Sequence, residues 1–300
     1  MLADDLTGAC DAGVQFAQRG FVTKVWLDPE PREPADLTVI TTNSRNDPPD
    51  VARRKVAVAC AALPPLVFKK IDSTLYGNVA AEIEAALEAC GIPEAWLAPA
   101  YPAQGRRVRD GWLEVAGSDR RVHLPAVLQG HPAIRWFDAA SQEELARVAR
   151  LAYSAEPRPL LVGSAGLAAE VAKLLAPTPH TQAPPQRSGS GEVIFVIGST
   201  NPATLAQVEY LKARHPQAVV TDVPSVAVPS AARALVLAGG DTALAVCRAL
   251  RVTGIRLERE VLPGIPRGTL IGGPYDGLAV VTKAGGFGAE DALAAILDSV

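Results

Sequence analysis

The sequence predicts an α/β protein of two domains, each built on a mostly parallel sheet flanked by helices. Short runs of aliphatic and β-branched residues alternate with longer stretches in which apolar residues recur at helical spacing. One long Pro/Gly/Ser-rich stretch, residues 177–191, interrupts this alternation, which then resumes. Strands that alternate with helices favour a parallel sheet covered on both faces. A chain of 300 residues is long enough for two such domains.

Residues 1–176 supply the first predicted domain. Residues Met1 to Ala3 leave room for only a very short first strand, unless the natural start lies upstream. The region from Gln104 to Trp136 is rich in Arg and Gly and permits no clear assignment. The remaining pattern predicts strands at Thr23–Leu27, Leu37–Thr41, Pro65–Ile71, Ala95–Pro99 and Leu160–Val162, and helices at Val51–Leu63, Val79–Cys90, Gln142–Tyr153 and after Gly163-Ser164.

Residues 192–300 supply the second, smaller predicted domain, and residues 177–191 form the linker between the two. A long surface loop within one domain is the alternative, but the alternation of strands and helices restarts directly after this stretch. The pattern predicts strands at Val193–Ile197, Ala218–Val220, Ala234–Leu237 and Leu278–Val281, with helices at Pro202–Lys212, Thr242–Leu250 and Glu290–Leu297.

The composition excludes several classes of function. A net charge of −3 without any Lys/Arg run argues against a nucleic-acid partner. The 4 cysteines and 4 histidines are scattered, which argues against a zinc site or disulfide framework and fits a reducing compartment. No apolar stretch approaches the roughly 20 residues that span a bilayer, and no signal peptide is visible. We therefore expect a cytoplasmic protein with no membrane partner.

Three polar loops follow strands of the first predicted domain, at Asp4–Gly8, Thr42–Asn46 and Lys69–Asn78. Ligands of parallel α/β sheets bind at the carboxyl ends of the strands, so these loops would line one cleft. Each loop alone is more typical of a helix N-cap than of a binding site, but three together favour a site. The side chains brought together would be the carboxylates Asp4, Asp5 and Asp72, the hydroxyls Ser44, Ser73 and Thr74, and the cations Arg45, Lys69 and Lys70.

Three glycine-rich turns follow strands of the second predicted domain, at Gly198–Asn201, Gly239–Thr242 and Lys283–Gly288. Glycine lets the backbone approach a phosphate closely, and the helix N-terminus that follows offers free N–H groups. Lys283 would add a point charge on a phosphate. None of the turns is a Walker A or G-x-G-x-x-G motif, and each alone is also typical of a plain tight turn. Together they favour a nucleotide site.

A polar small-molecule site on one domain and a phosphate-binding site on the other, with a cleft between them, predict phosphoryl transfer. Such an enzyme mainly positions two substrates and excludes water. We also expect the two domains to close across residues 177–191, an expectation that rests on the type of reaction alone.

A series of motifs follows along nearly the whole chain: Ala3-Asp-Asp-Leu-Thr-Gly-Ala9 with Asp11, Asn43-Ser-Arg45, Lys69-Lys-Ile-Asp-Ser-Thr-Leu75 with Gly77-Asn78, Gly163-Ser-Ala-Gly-Leu167, Gly198-Ser199, Gly239-Gly-Asp-Thr-Ala243, Pro263-Gly-Ile-Pro266 and Thr282-Lys-Ala-Gly-Gly-Phe-Gly288 with Asp291. In these motifs, taken in this order, the chain resembles the four-carbon acid sugar kinases. The resemblance implies phosphorylation of the terminal hydroxyl of threonate, erythronate or 3-oxo-tetronate with ATP and Mg²⁺.

We expect residue roles in part from the resemblance and in part from the chemistry of the loops. Asp72 would orient the attacking hydroxyl and take its proton, with Asp5 as the second candidate. The metal ligands stay unassigned. The acid would be bound by Asp4, Asp5, Asn43, Ser44, Arg45, Lys70, Asp72, Ser73, Tyr76 and Arg106, and ATP by Ser199, Gly239, Gly240, Asp241, Thr242, Gly264, Lys283, Gly285 and Gly286.

The chain departs from the family pattern at Tyr76, where the family usually carries Arg. If that Arg binds the substrate carboxylate, Arg45 or Arg106 would have to replace it. The chain is also short between its first strand of the second domain and Gly239. Two other functions stay open, a non-catalytic ligand- or nucleotide-binding protein of this fold and, with a poorer match in spacing, a phosphatase. A homodimer is possible, although no residue indicates one.

Overall fold

A single sheet of 13 strands runs through the computed structural model of the chain, which describes residues 1–30, 33–62, 67–177, 191–222 and 228–300. Almost all of the predicted linker, and Leu63 and Pro65 of the predicted helix and strand, lie outside the described residues. The predicted domain boundaries therefore stay a prediction. In the described part of the chain, no helix is long and apolar enough to cross a membrane.

The secondary structure alternates as the sequence predicts. The strands are β1 (Leu2–Ala3), β2 (Thr23–Trp26), β3 (Leu37–Thr41), β4 (Phe68–Lys70), β5 (Ala95–Ala98), β6 (Arg106–Arg109), β7 (Trp112–Val115), β8 (Arg121–His123), β9 (Ile134–Trp136), β10 (Leu160–Gly163), β11 (Val193–Ile197), β12 (Val219–Thr221), β13 (Ala234–Ala238), β14 (Gly254–Leu262), β15 (Ile265–Ile271) and β16 (Ala279–Lys283). The helices are α1 (Leu6–Ala17), α2 (Pro49–Ala61), α3 (Val79–Cys90), α4 (Leu124–Val127), α5 (Gln142–Ser154), α6 (Ala165–Leu174), α7 (Pro202–Arg214), α8 (Gly240–Ala249) and α9 (Ala292–Ser299).

The strand order is β12-β11-β13-β16-β15-β14-β2-β3-β1-β4-β10-β5-β9. The first four strands of this order are parallel to one another, and so are the last seven. The hairpin β14–β15 lies between the two groups and pairs antiparallel with β2 on one side and β16 on the other. The α/β class with a mostly parallel sheet is confirmed, but the two parallel groups belong to one sheet rather than to two.

The sequence pattern missed the hairpin β14–β15, because charged residues interrupt its apolar alternation. Glu258 on β14 and Arg267 on β15 form an ion pair in which both side chains are mostly buried. The unassigned region from Gln104 to Trp136 contains a separate antiparallel sheet, β6-β7-β8, and then α4 and the edge strand β9. Strands β6 and β8 are short and rich in arginine, so the alternation of apolar and polar residues was not recognisable from the sequence.

Helix α1 lies between the two groups of strands. It packs against α6, α8, β2 and β14, and nearly all of its side chains are buried. A Cβ on Gly13 would lie 2.7 Å from Leu257 Cδ1, so this glycine lets α1 approach β14 closely. The main hydrophobic core surrounds α1 and includes Phe16 and Phe68, while a second core, with Phe195, lies on the other face of the C-terminal strands. Helix α1 thus joins the two halves of the molecule.

Candidate functional site

The Arg45 guanidinium, in the loop after β3, contacts three aspartates that follow the carboxyl ends of β1 and β4. Its Nε and Nη2 donate to the two carboxylate oxygens of Asp4 over 2.7 and 2.8 Å. Nη2 also donates to Asp5 Oδ1 over 2.6 Å, and Nη1 lies 3.8 Å from Asp72 Oδ2. These strands are neighbours in the order β3-β1-β4 and run parallel, so the loops that follow them meet. The structure therefore brings together the four residues that the sequence placed in one cleft; we call them the acidic cluster.

Local hydrogen bonds hold two aspartates of the acidic cluster, Asp5 and Asp72. Asp5 is the N-cap of α1, which begins at Leu6, so the residues expected to form a loop at 6–8 are already helical. Asp5 accepts hydrogen bonds from Gly8 N over 2.9 Å and from Thr7 Oγ1 over 2.6 Å. Asp72 Oδ1 accepts hydrogen bonds from the backbone N–H and the hydroxyl of Thr74. Asp5 is therefore both the N-cap of α1 and a member of the acidic cluster.

Charge within the acidic cluster is unbalanced, since one guanidinium faces three carboxyl groups. Burial alone would raise the pKa of Asp4, but Arg45, with smaller contributions from Lys69 and Lys70, outweighs it and holds the pKa at about 2. Burial would likewise lower the pKa of Arg45, but Asp4 and Asp5 raise it well above its ordinary value. Arg45 is thus engaged by the protein's own carboxylates, and an additional bond to a substrate carboxylate would have to share its donors.

A buried polar network lies beneath the acidic cluster. Lys69 Nζ lies 2.6 Å from Glu82 Oε2, and neither side chain is exposed beyond 1%. Ser44 Oγ donates to Glu82 Oε1 over 2.6 Å and lies 2.6 Å from Thr42 Oγ1. The side chains of Ser44 and Lys69 therefore point beneath the loop after β3. The sequence had instead predicted that they would lie in the open cleft. Their side chains support that loop, and substrate binding by Ser44 stays a prediction.

The other predicted acid-binding residues lie around the acidic cluster with different exposures. Lys70 is buried and donates to the carbonyl of Ile71 over 2.9 Å. Ser73 is buried, and Asn43 is half-buried with a φ of 46°. Tyr76 is 53% exposed, and only its backbone N–H reaches Asp72, over 3.4 Å. The Tyr76 side chain therefore lies at the solvent edge of the loop.

The glycine-rich turns after β11, β13 and β16 also meet, as the sequence predicted from their positions. Gly239, with a φ of 110°, precedes Gly240, the first residue of α8. A Cβ on Gly285 would lie 2.5 Å from Ser199 Oγ, so the turns after β11 and β16 are in close contact. Thr242 is buried in the first turn of α8 and Asp241 is exposed. We call this group, Ser199, Gly239, Gly240, Gly285 and Gly286, the glycine rim.

Lys283 does not point out of the glycine rim. Its Nζ donates to the Ala284 and Gly285 carbonyls over 3.1 and 3.3 Å and to Thr204 Oγ1 over 3.3 Å, and the residue is fully buried. Burial lowers the pKa of this amine to about 8. These contacts make Lys283 a support for the 284–285 backbone, and a direct contact with a phosphate stays a prediction.

The acidic cluster and the glycine rim touch. A Cβ on Gly240 would lie 2.6 Å from Asp5 Oδ2, so only glycine permits this approach. Asn46 Nδ2, in the loop after β3, donates to Asp241 Oδ2 over 3.2 Å. The carboxyl ends of the two parallel groups of strands therefore meet at one junction, where groups bound to each would be neighbours.

A second contact between the halves lies at residues 101–106, which connect β5 to β6. Gln104 Nε2 donates to the Pro263 carbonyl over 2.8 Å, and a Cβ on Gly264 would lie 2.7 Å from both Gln104 Nε2 and Phe287 Cδ2. Arg106 lies over the Phe287 ring, 5.2 Å from its centroid. Gly264, which the sequence assigned to nucleotide binding, is thus packed between two side chains, and its role at ATP stays a prediction.

No group of three or more His, Cys, Asp or Glu side chains in the described ranges is arranged to hold a metal ion by itself. A magnesium ion bound here would need oxygen ligands from phosphates or water, which is the usual arrangement for this ion. Asp5 and Asp241 are the carboxylates at the junction, and both accept hydrogen bonds from protein donors.

Sequence analysis did not select several residues that organise this region. Glu82 lies within the Ala-rich helix α3, at a position whose helical spacing faces the core, and this was the available signal. Asn46 lay at the end of a selected loop. Gln104 carried no signal. Phe287 lay within a selected glycine-rich turn but was not predicted to have a role, because its role depends on packing between elements distant in the chain.

The acidic cluster and the glycine rim meet at the strand ends of an α/β protein whose sheet contains two parallel groups of strands. Two family models match, one described as a sugar-binding N-terminal domain over residues 1–132 and one as a nucleotide-binding C-terminal domain over residues 225–293. The chain is 30% identical to a D-threonate kinase of Salmonella typhimurium, over 98% of this chain and 96% of the relative. It is 31% identical to a D-threonate kinase of Bordetella bronchiseptica, over 98% and 95%. The chain belongs to the four-carbon acid sugar kinase family.

Two solved structures show the same fold. A Salmonella typhimurium crystal structure matches with a TM-score of 0.76 at 19% identity, over 98% of this chain and 97% of that one. A Bordetella bronchiseptica protein matches with a TM-score of 0.51 at 28% identity, over 99% and 96%, and is described as a domain-swapped dimer with bound citrate. For the present chain, the homodimer stays a prediction.

Proposed function

We propose that this chain is an ATP-dependent kinase that phosphorylates the terminal hydroxyl of a small four-carbon sugar acid, namely threonate, erythronate or 3-oxo-tetronate. The observation that carries the proposal is the contact between Asp5 of the acidic cluster and Gly240 of the glycine rim. Because of this contact, a polyol bound by the carboxylates would lie next to a phosphate bound at the N-terminus of α8. The names of the relatives, D-threonate kinases, support the same chemistry.

The acid-binding side of the proposed site is the acidic cluster. Carboxylates are strong acceptors for the hydroxyls of a sugar acid, and Asp4, Asp5 and Asp72 are fixed in place by Arg45. Because the Arg45 fork already binds Asp4, the substrate carboxylate needs further donors. The half-buried Asn43 and the buried Lys70 are the predicted residues that stay next to the cluster.

The nucleotide side of the proposed site is the glycine rim, and its geometry fits phosphates. Gly239 adopts a left-handed φ of 110° directly before α8, which turns the first N–H groups of the helix outwards. The absence of a Cβ at Gly240 leaves the approach to that helix end open towards Asp5. Mg²⁺ would arrive with the nucleotide and neutralise phosphate charge, with Asp5 or Asp241 as the nearby carboxylates.

Asp72 is the proposed general base. Its Oδ1 is used by Thr74, whereas its Oδ2 has only the distant Arg45 contact of 3.8 Å and can accept a proton. Asp5 is the weaker candidate, because Thr7, Gly8 and Arg45 already donate to its two oxygens. Asp72 would orient the acceptor hydroxyl and take its proton as the new P–O bond forms.

The experiment is an assay of ADP release from Mg·ATP with threonate, erythronate and 3-oxo-tetronate in their stereoisomers. We expect release with one acid and only background without acid. Asp72→Asn should lower kcat by about 100-fold, because general-base catalysis contributes that order, while Asp50→Asn, an exposed residue on α2, should not change it. ATP binding without ADP release for any acid would favour a non-catalytic binding protein, and full activity of Asp72→Asn would remove Asp72 from the proposed role.

A further inference from the structure

Arg106 is a half-buried cation at the junction with no anionic partner. None of the ion pairs among the residues that the structure describes includes it, and its Nε is buried without a hydrogen-bond acceptor. One contact is with the Gln104 carbonyl, to which Nη1 donates. Burial lowers the pKa of Arg106, and the carboxylate of Asp72 opposes this shift. A desolvated guanidinium without a counter-ion costs free energy, which an anionic ligand would recover.

The packing of Arg106 aims it at the glycine rim. The guanidinium is stacked on Phe287, which follows Gly286 in the turn after β16, and Phe287 also has an edge contact with Tyr101. A Cβ on Gly286 would lie 3.8 Å from Arg106 Nη2. Gly286 is exposed, so this space is open to a ligand.

A second donor faces the same point. Asn201 Nδ2 lies 3.6 Å from the Cβ position of Gly286, and apart from the chain neighbours Gly285 and Phe287 these two nitrogens are the described atoms within 4 Å of it. Asn201 is the N-cap of α7, and its Oδ1 accepts the Ala203 N–H over 3.0 Å. Because the cap uses the amide oxygen, the amide nitrogen is held towards Gly286. Two fixed donors, one of them charged, therefore converge over one exposed glycine.

We propose that Arg106 and Asn201 bind the phosphoryl group that is being transferred, at the open space above Gly286. This inference rests on the proposed kinase function and gives Arg106 a different ligand from the acid carboxylate that the sequence suggested. Arg106 comes from the acid-binding half of the chain and Asn201 from the nucleotide half, so both donors reach the group only at the junction.

The transfer balances as a simple displacement. The acceptor hydroxyl oxygen forms a bond to the γ-phosphorus as its proton passes to Asp72, and the bond from that phosphorus to the β–γ bridging oxygen breaks. The electron pair stays on ADP. Arg106 and Asn201 would donate to the non-bridging oxygens, whose negative charge is spread around phosphorus during transfer.

Binding measurements test this proposal without turnover. The probes are Mg·ADP and the Mg complex of β,γ-imido-ATP, titrated calorimetrically into the full chain and its variants. Arg106→Ala should weaken binding of the imido analogue at least about tenfold, the order expected for a charged hydrogen bond, and change ADP binding less than about threefold. Equal losses for both nucleotides would overturn the assignment to the transferred group.

Two further variants separate a missing donor from a damaged fold. Asn201→Asp retains the capping oxygen of α7 but replaces the donor with an acceptor, so it should weaken analogue binding while the melting temperature stays near that of the wild type. Arg107→Ala removes the neighbouring, exposed arginine of β6 and should leave both nucleotides bound as before. Analogue binding in Asn201→Asp equal to that of the wild type would contradict the proposal.

Kinetics distinguish this role from recognition of the acid. Arg106→Ala and Arg106→Lys should lower kcat at least about 100-fold, because a lysine cannot replace the fork on a planar transition state, with little change in the KM for the acid. A raised KM for the acid with unchanged kcat would assign Arg106 to the substrate carboxylate instead. If the wild type released no ADP with any acid, the kinase function would fail, while the comparison of imido analogue with ADP would still decide what Arg106 binds.

Discussion

Asp11 shows how burial sets the charge of a single residue next to the acidic cluster. It lies in the middle of α1, fully enclosed, and accepts a hydrogen bond from Tyr101 OH over 3.1 Å. Burial raises the pKa of its carboxyl group to about 7, with Glu260 and Asp5 adding to the increase while Lys70 and Tyr101 oppose it. Asp4, a few residues away, has a pKa of about 2 because Arg45 outweighs the same burial. The two pKa values differ because the Arg45 guanidinium is bonded to the carboxyl group of Asp4 and not to that of Asp11.

The raised pKa of Asp11 predicts a pH-dependent loss of stability. In the unfolded chain this carboxyl ionises near pH 4, whereas in the folded protein it keeps its proton until about pH 7. The unfolded state therefore gains stability as pH rises from about 4 to about 7, and the difference is constant above that. Asp11→Asn, which keeps an acceptor for Tyr101 but does not ionise, should gain up to about 4 kcal/mol relative to the wild type across this range.

Urea unfolding at several pH values from 4 to 8 measures this difference. The exposed Asp50→Asn serves as the control and should follow the wild type closely. A constant difference between Asp11→Asn and the wild type at every pH would mean that Asp11 ionises normally in the folded protein.

Residue positions were predictable where they depend on strand ends, and not where they depend on side-chain direction. Asp4, Asp5, Arg45 and Asp72 converge because each lies in a loop that follows a strand of one parallel group. Whether a side chain beside those positions points into the cleft or beneath the loop depends on packing that the sequence does not display. Ser44, Lys69 and Lys283 all point inwards for this reason.

At the scale of the element, helix α3 supports the loop after β3 from below. Its Glu82 binds Lys69 of β4 and Ser44 of that loop at once, with both charged side chains excluded from water. A buried ion pair is weak evidence for stability, but loss of one partner leaves an uncompensated charge. The helix therefore couples the stability of the fold to the position of Arg45.

We expect Glu82→Ala to destabilise the protein by about 3–5 kcal/mol, because Lys69 would be buried without a partner. Glu88→Ala on the same helix, whose side chain is 70% exposed beside Arg53, should cost less than about 1 kcal/mol. Chemical denaturation of both variants measures these two changes in the free energy of unfolding. Similar small losses for Glu82 and Glu88 would show that the buried network contributes little.

The elements most difficult to predict are those that join the two halves. The alternation of strands and helices located most of the parallel strands, because the period of the pattern changes between them. The hairpin β14–β15 was not predicted, since cross-strand ion pairs such as Glu258 with Arg267 allow charged residues to lie inside a sheet. That hairpin turns two parallel groups into one sheet.

At the scale of the whole molecule, three connections bring the two sites together. Helix α1 packs against both groups of strands, Asp5 meets Gly240, and residues 101–106 contact the turns at Gly264 and Phe287. The contact between Asp5 and Gly240 lies at the carboxyl ends of the parallel strands, where ligands of such sheets bind. Protein therefore lines the junction on both sides, with Asp5 and Asn46 on one and Gly240 and Asp241 on the other.

The most direct test of this account is to identify the phosphorus products by ³¹P NMR. The full chain would be incubated with Mg·ATP and the acid that gives ADP release. We expect a new phosphomonoester resonance that grows in equal amount with ADP, since the phosphoryl group passes from nucleotide to hydroxyl without meeting water. Orthophosphate formed in equal amount with ADP, and no phosphomonoester, would show hydrolysis and contradict transfer to a sugar acid.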